Sequence, residues 1–530
     1  MVVLAATAGF PVVAAGTTAD DLCKSTEDPC RVSGVVTVTP GSTIDCGNRE
    51  LLVQPGGSLS VGNGSMTLVA RDVTIQNGGA LRAAGSTTND GGSIIIIADT
   101  MSIAGGVDVS GAAGGTLTVT TTGDLAVSGT INANSRQVGE DGGTITLTAL
   151  NVTLAGTVSS RGSRDGTGGE IDISAGGDLA ISGSVSATGP DGGTISLDVG
   201  ADGAGDLIVT RTGEVVADST GADGSGDFLD VEISGDGVQN GNLAVDGDIS
   251  LSAPNGGSAG FMEIEAAGRI TLSDTARVSA TGRFGGDGGD IALTSDDSDI
   301  DVRGTLDSSS SGTGGQAGDI CLCAGGGASV GGSVDARGGR DGGDIDIDVG
   351  SDVGIGGTLR TQGSSPGRGG QTTVRGCTVS LGTNATLSSL GPNSLNRLTG
   401  KTVAIVNGTM RADETTGHNV IVFGQQMPII SGSAMIIPAV ERTPDTSLVP
   451  CGLLPTPTPT VTPTPSPTAT PAPCLGDCNG DGLVSTSELV TAVSIALDQL
   501  PLAQCPAFGG AFVNVADIVT AVNNALHGCP

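Results

Sequence analysis

Between Asp90 and Gly370 polar and apolar residues alternate in short bursts, each launched by a glycine pair: DGGSIIIIADT, DGGTITLTALN, GGEIDISAGG, DGGTISLDVG, DGGDIALTSD and DGGDIDIDVG. In the unit that begins at Gly192, Ile195 and Leu197 alternate with Thr194, Ser196 and Asp198. The preceding unit supplies Leu179, Ile181 and Val185 in the same rhythm. A period of two sends successive side chains to opposite faces, so these bursts predict β-strands and not helices. Gly, Asp, Asn and Ser fill the segments between them, residues that accept tight turns and positive φ.

The second glycine of successive pairs falls at 92, 115, 143, 169 and 193, and again at 289, 315, 343 and 370, a spacing of 23 to 28 residues within each run. Repetition at that period marks a solenoid. One such coil cannot bury its apolar side chains. Stacked coils can, because Ile, Leu and Val at equivalent positions form continuous interior rows while each strand bonds to the coils above and below. The expectation is a single-stranded, right-handed parallel β-helix over residues 51–442, with about 15 coils at ~4.8 Å each and a length of about 70 Å. Residues 20–50 are expected to cap it.

Composition agrees with this picture. The 530 residues include 92 Gly, 7 Phe and no Trp or Tyr, which would starve an ordinary globular core but suits a coil filled by aliphatics. Strict alternation argues against a disordered glycine-rich chain. The glycine spacing excludes the nine-residue calcium repeat of RTX type.

The formal charge of −34 repels phosphate backbones and anionic membrane surfaces, so nucleic acid is excluded as a partner. Residues 1–19 resemble the later part of a secretory signal without its basic leader, with small-residue cleavage points after Ala14 or Ala19. No later stretch has the ~18 unbroken apolar residues of a membrane span. The 11 cysteines favour an oxidising space and cluster toward the ends, with Cys23, Cys30 and Cys46 before the rod and Cys451, Cys474, Cys478, Cys505 and Cys529 after it. Cys321 and Cys323, in DICLCAGG, fall on the outward side of one strand, as a local disulfide or free thiols and not a metal site. Cys377 sits alone, and an odd total leaves at least one thiol unpaired within the chain.

From Thr443 the repeat gives way to a Pro/Thr-rich linker, residues 443–473, whose PTPTPTVTPTPSPTATPAP run enforces an extended polyproline-II tether. Beyond it, in residues 474–530, the stretch from Asp477 to Glu488 reads DCNGDGLVSTSE and matches the twelve-residue EF-hand loop. Asp477, Asn479 and Asp481 offer side-chain oxygens, Leu483 its backbone carbonyl, Ser485 a direct or water-mediated contact and Glu488 a bidentate carboxylate, while Gly482 allows the reversal. That set suits calcium. An amphipathic helix is expected to follow, with Leu489, Val493 and Leu497 on one side.

Twenty-nine residues on, LVTAVSIAL from Leu489 returns as IVTAVNNAL from Ile518, placing Val484 over Val513 and Glu488 over Asp517. This duplication of loop and helix resembles a type I dockerin, the calcium-dependent module that plugs into cohesin domains. The resemblance covers Cys474 to Pro530. It implies a cohesin-like partner contacted by Thr486 and Ser487, at loop positions 10 and 11. The second copy departs from the family: Pro506, Phe508 and Gly510 replace the oxygen ligands, leaving Asn514 and Asp517, so one ion is expected, and the second docking face at Val515 and Ala516 is put in doubt. Four cysteines in the module allow three pairings, and the spacing suggests Cys474 with Cys529 and Cys478 with Cys505.

Pectin lyases show that β-helices can be enzymes, but such clefts need sugar-stacking aromatics and clustered acids and bases. Here His418 and His527 carry no motif, and a pair such as Asp346 and Asp348 is expected on any outward strand of so acidic a chain. The repeats resemble the shafts of filamentous-haemagglutinin-type adhesins. The expectation is a secreted or cell-surface bacterial rod, structural or adhesin-like and not an enzyme, held by its dockerin-like module. The alternative is a polysaccharide-binding or polysaccharide-degrading β-helix of a cellulosome-like complex, with a surface polysaccharide as ligand. Between Asp202 and Ser258 the period stretches to near 33 residues, and these longer turns are the candidate for ligand contact.

Overall fold

The computed structural model describes residues 16–235, 241–364, 366–449, 451, 474–479, 483–497, 499–508, 513 and 515–527. They divide into two units, Met1–Leu453 and Leu454–Pro530. The first is a parallel β-solenoid. One coil contributes Thr116–Thr121, Leu125–Val127 and Thr130–Asn132, and the next lays Thr144–Ala149, Val152–Leu154 and Thr157–Ser159 beside them in register. Among the described residues these strands build a 30-stranded sheet that carries two faces of each coil and a 16-stranded sheet that carries the third. Strand structure starts at Cys30–Val32 and ends at Val440–Pro444.

Register explains the alternation. Ile94, Leu117, Ile145, Ile171, Ile195 and Leu229 pair across successive coils and are fully buried, one continuous aliphatic row. At the C-terminal end the same row turns polar: Ile345 pairs with Thr372, then Asn396, then Asn419. Both asparagines are fully buried. They are satisfied by each other (2.8 Å), by Ser389 Oγ (2.8 Å) and by the carbonyls of Arg411 (2.7 Å) and Pro438 (2.8 Å), which a buried amide requires.

The glycine pairs answer a different need from the one their turn chemistry suggests. A Cβ on Gly115 would collide with the carbonyl oxygen of Gly92, one on Gly143 with that of Gly115, and one on Gly169 with that of Gly143. Successive coils therefore touch through bare backbone at this corner, and close approach, not positive φ, demands the glycine.

The preceding aspartate has an equally specific place. In all five DGG repeats the carboxylate of Asp90, Asp141, Asp191, Asp287 or Asp341 accepts the backbone N–H of a residue one coil on: Ala113, Thr167, Ser225, Gln316 or Arg368. A second row runs along another turn. Asn151 Oδ1 accepts from Asp178 N (2.9 Å), Asp178 Oδ1 from Asp206 N (2.9 Å), Asp206 Oδ1 from Asn242 N (2.9 Å) and Asn242 Oδ1 from Arg269 N (2.9 Å). Turn amides without a strand partner are thus capped by side chains of the neighbouring coil. Much of the acidity is structural.

One cysteine expectation changes. Cys377 is not alone: it sits at the register shift of the strand Gln371–Leu381 and is disulfide-bonded to Cys451, pinning the segment after the last strand back to the rod across 74 residues. Cys23 pairs with Cys30, and the free thiol among the described residues is the buried Cys46. Cys321 and Cys323 form the local disulfide. Thr17 N donates to Ser42 Oγ (2.8 Å) and Thr17 Oγ1 accepts from Thr39 N (2.9 Å), so a chain processed after Ala14 keeps these contacts and one processed after Ala19 loses them.

Three outcomes are expected. Gly143→Ala should cost about 1–3 kcal/mol by overpacking, whereas Gly354→Ala, whose added Cβ meets nothing within 4 Å, should be neutral or stabilising; urea melts compare them. Asp178→Asn should behave as wild type, because Asn151 and Asn242 already serve in that row, while Asp178→Ala should cost about 1 kcal/mol. Burial, reinforced by neighbouring carboxylates, raises the carboxyls of Asp172, Asp230 and Glu265 above the usual range. Such groups hold more protons folded than unfolded, so stability falls as pH rises through their window. Calorimetry should therefore find a higher Tm near about pH 5 than near about pH 8.

Candidate functional site

The second unit contains α1 (Thr486–Ala496) and α2 (Val515–His527). Ser485 caps α1. Its hydroxyl accepts from Glu488 N, and the Glu488 carboxylate returns to Ser485 N (2.8 Å) and Ser485 Oγ (2.7 Å), a closed capping box. The other carboxylate oxygen of Glu488 accepts from Cys478 N (2.9 Å) and Asn479 N (3.1 Å). One buried side chain thereby ties the start of the loop to its end. The hydrogen bonds from Ser485, followed by those from Asn479 and Cys478, hold its carboxyl below the usual range.

Of the predicted oxygen ligands, Asp477, Asn479, Leu483, Ser485 and Glu488 are described, and Asn479 and Ser485 donate backbone N–H groups to the Glu488 carboxylate. Asp481 and Gly482 lie outside the described residues. Among the described residues no three His, Cys, Asp or Glu side chains are grouped to hold a metal. The donor chemistry, carboxylates with an amide, a hydroxyl and a backbone carbonyl, fits a hard divalent cation and offers nothing to a soft one.

The duplicated copy follows the expected pattern in part. Val484 and Val513, the matched apolar loop positions, are both buried. Phe508 stands where a ligand would be and packs instead into the unit's core with Ala492, Ile495, Cys505, Val513 and Ala521. Asn514 and Gly510 lie outside the described residues, and Val515 and Ala516 open α2, where nothing is described of their side chains. Cys478 is bonded to Cys505. Cys529, the suggested partner of Cys474, lies outside the described residues.

Leu489, Val493 and Leu497 share one side of α1 as expected, but only Leu489 of them reaches the core. The inward side of the helix is Glu488, Ala492 and Ile495, with Leu489 packed against them. Val493 and Leu497 face water. Phe508, Cys505, Val513 and Ala521 complete the core against the inward side. The outward apolar residues recur at equivalent positions: Val490 is 62% and Val519 63% exposed, Val493 41% and Val522 38%, Leu497 63% and Leu526 74%. On α1 they join Thr486 and Leu489 around a shallow cavity of about 370 Å³.

On the rod, His418 Nδ1 lies 2.7 Å from Glu441 Oε1 in an exposed pair. His527 ends α2, and nothing is described of its side chain. Asp348 pairs with Arg375 (3.4 Å). Asp346, half-buried beside Cys321, has one oxygen without a hydrogen-bond partner, and burial raises its carboxyl. The long turns between Asp202 and Ser258 fall at two corners of the coil, after the strands Thr194–Val199 and Phe228–Ile233 and after the strands Glu214–Val216 and Asp248–Ser250; at the second corner Asp218, Ser252 and Pro254 help to line a cavity of about 550 Å³. No model of a known protein family matches the chain, and no curated protein matches it.

With one carboxylate bracing both ends of the loop, Glu488→Ala should lower the melting temperature of the C-terminal unit and leave that of the rod unchanged, as two-transition calorimetry would show.

Proposed function

We propose that this protein is an extracellular, non-catalytic rod, secreted or displayed on a bacterial surface, and held there by its C-terminal unit acting as a calcium-dependent docking module. The observation that carries the reading is the matched pair of exposed apolar stripes, Val490, Val493 and Leu497 on α1 and Val519, Val522 and Leu526 on α2. A unit so small would bury these six side chains if it were built only for its own stability. The partner is a cohesin-like protein with an apolar patch, approached through Thr486, Ser487 and the stripe beyond them.

Calcium would be held by Asp477, Asn479, Asp481, the Leu483 carbonyl, Ser485 and Glu488. Bound there, it would take over the carboxylate that now braces the loop and fix the start of α1, and with it the docking stripe. The disulfides Cys23–Cys30, Cys377–Cys451 and Cys478–Cys505 support an oxidising location. Among the described residues no helix is long and apolar enough to cross a membrane.

The test is a pull-down from the source organism's secreted and surface fractions with the full chain, in calcium or chelator, and with Asp481→Ala or Val490→Asp/Val519→Asp. A partner should be retained only by the wild type in calcium. If nothing is retained while calcium still raises the melting temperature, the unit is a stabilising terminus and the docking reading falls.

A further inference from the structure

The cavity of about 550 Å³ on the rod opens over the strands Asp248–Ser250, Arg277–Ser279 and Thr305–Asp307. Three features meet there. Phe284 is 80% exposed and has φ 55°, a left-handed backbone that is a true outlier for a bulky L-residue. The turns of the flanking coils use Gly256 (φ 116°) and Gly312 (φ 104°). Glycine would be at ease at Phe284 as well. An aromatic ring that is both conformationally costly and turned to water is retained for what it touches.

Arg277 and Arg283 supply the second feature. Both are exposed, and among the described residues neither has an ion-pair partner, in a chain of formal charge −34. Cationic side chains left unpaired beside so many carboxylates are available to an incoming anion. Hydroxyls form the third: Ser250 Oγ donates to Asp218 Oδ1 (2.6 Å), Thr281 Oγ1 to Ser252 Oγ (3.2 Å) and Ser252 Oγ to Ser279 Oγ (3.4 Å), so donors and acceptors recur from coil to coil.

We propose that this flank binds an acidic polysaccharide, a chain of uronic-acid residues, with a sugar ring stacked on Phe284, its carboxylates on Arg277 and Arg283, and its hydroxyls on the serine and threonine row. Each contact has its chemistry. The apolar face of a pyranose covers an aromatic ring. A guanidinium takes a carboxylate through two parallel hydrogen bonds. The coil spacing of ~4.8 Å is of the order of one sugar ring, so successive coils can meet successive residues. A peptide strand is a poorer fit, because the backbone donors and acceptors of these strands are already spent in the coil-to-coil ladder. The proposal concerns the rod and is independent of the docking reading.

Titration calorimetry of the full chain with a galacturonic-acid hexamer, against cellohexaose as the neutral control, decides it. The uronate should bind and the neutral hexamer should not, and added salt should weaken the binding. Arg277→Gln/Arg283→Gln and Phe284→Gly should each weaken it at least about tenfold. Phe284→Gly relieves the left-handed strain, so its Tm should hold or rise. Absence of binding by the wild type, equal binding of the neutral hexamer, or a variant that binds like the wild type would each overturn the proposal. So would a Tm lowered by Phe284→Gly, which would make the ring structural.

Discussion

Everything in the rod depends on one contact, the hydrogen bond from one coil to the next. A coil has no interior of its own: Ile145 is buried because Leu117 lies on one side of it and Ile171 on the other. Backbone ladders supply that contact along the three faces. At the corners, where strand pairing lapses, the carboxylates and amides of the Asp/Asn rows supply it instead. The glycine pairs then let the backbones come close enough for both. Faces, corners and close approach are solutions to a single requirement, that no backbone amide be buried without a partner.

This is why the fold was so legible. A repeat that must match its neighbour at every coil writes its period into the chain: alternation such as that around Ile195 and Leu197 placed strands and interior rows, and the spacing of the glycine pairs gave the coil number. What the period did not reveal were features used once. The buried Asn396 and Asn419 look like surface residues in sequence, and only stacking shows them satisfying one another. Cys377 found Cys451 through space, across the last coils. The core of the C-terminal unit takes Phe508 from elsewhere in the chain and leaves Val493 and Leu497 outward, which the periodicity of α1 alone does not show. Phe284 could not be singled out, because φ is invisible in sequence, and it lies outside the stretched turns of residues 202–258, which lend its cavity only Asp218, Ser250, Ser252 and Pro254.

Acidity takes on a divided meaning. Asp178 or Asp206 is a piece of scaffolding whose charge is incidental, since Asn151 and Asn242 do the same work neutral in the same row. The carboxylates on the strand faces, such as Asp230 and Glu265, carry the electrostatic cost of standing side by side. Against that background Arg277 and Arg283 put two unpaired cations in one cavity, beside Asp218 and Asp307, and the apolar stripes of α1 and α2 form another kind of exception, uncharged patches on a unit otherwise built around a loop of oxygen donors.

The Asp/Asn rows also give the rod a direction. In each of these bonds the acceptor belongs to the earlier coil and the donor to the later one. A chain delivered across a membrane with its N-terminus leading would find, at every step, a finished edge with its oxygens already aimed at the amides about to arrive. Assembly can then proceed by templated addition, each coil folding on the one before it, and no part of the rod has to wait for the whole chain to emerge.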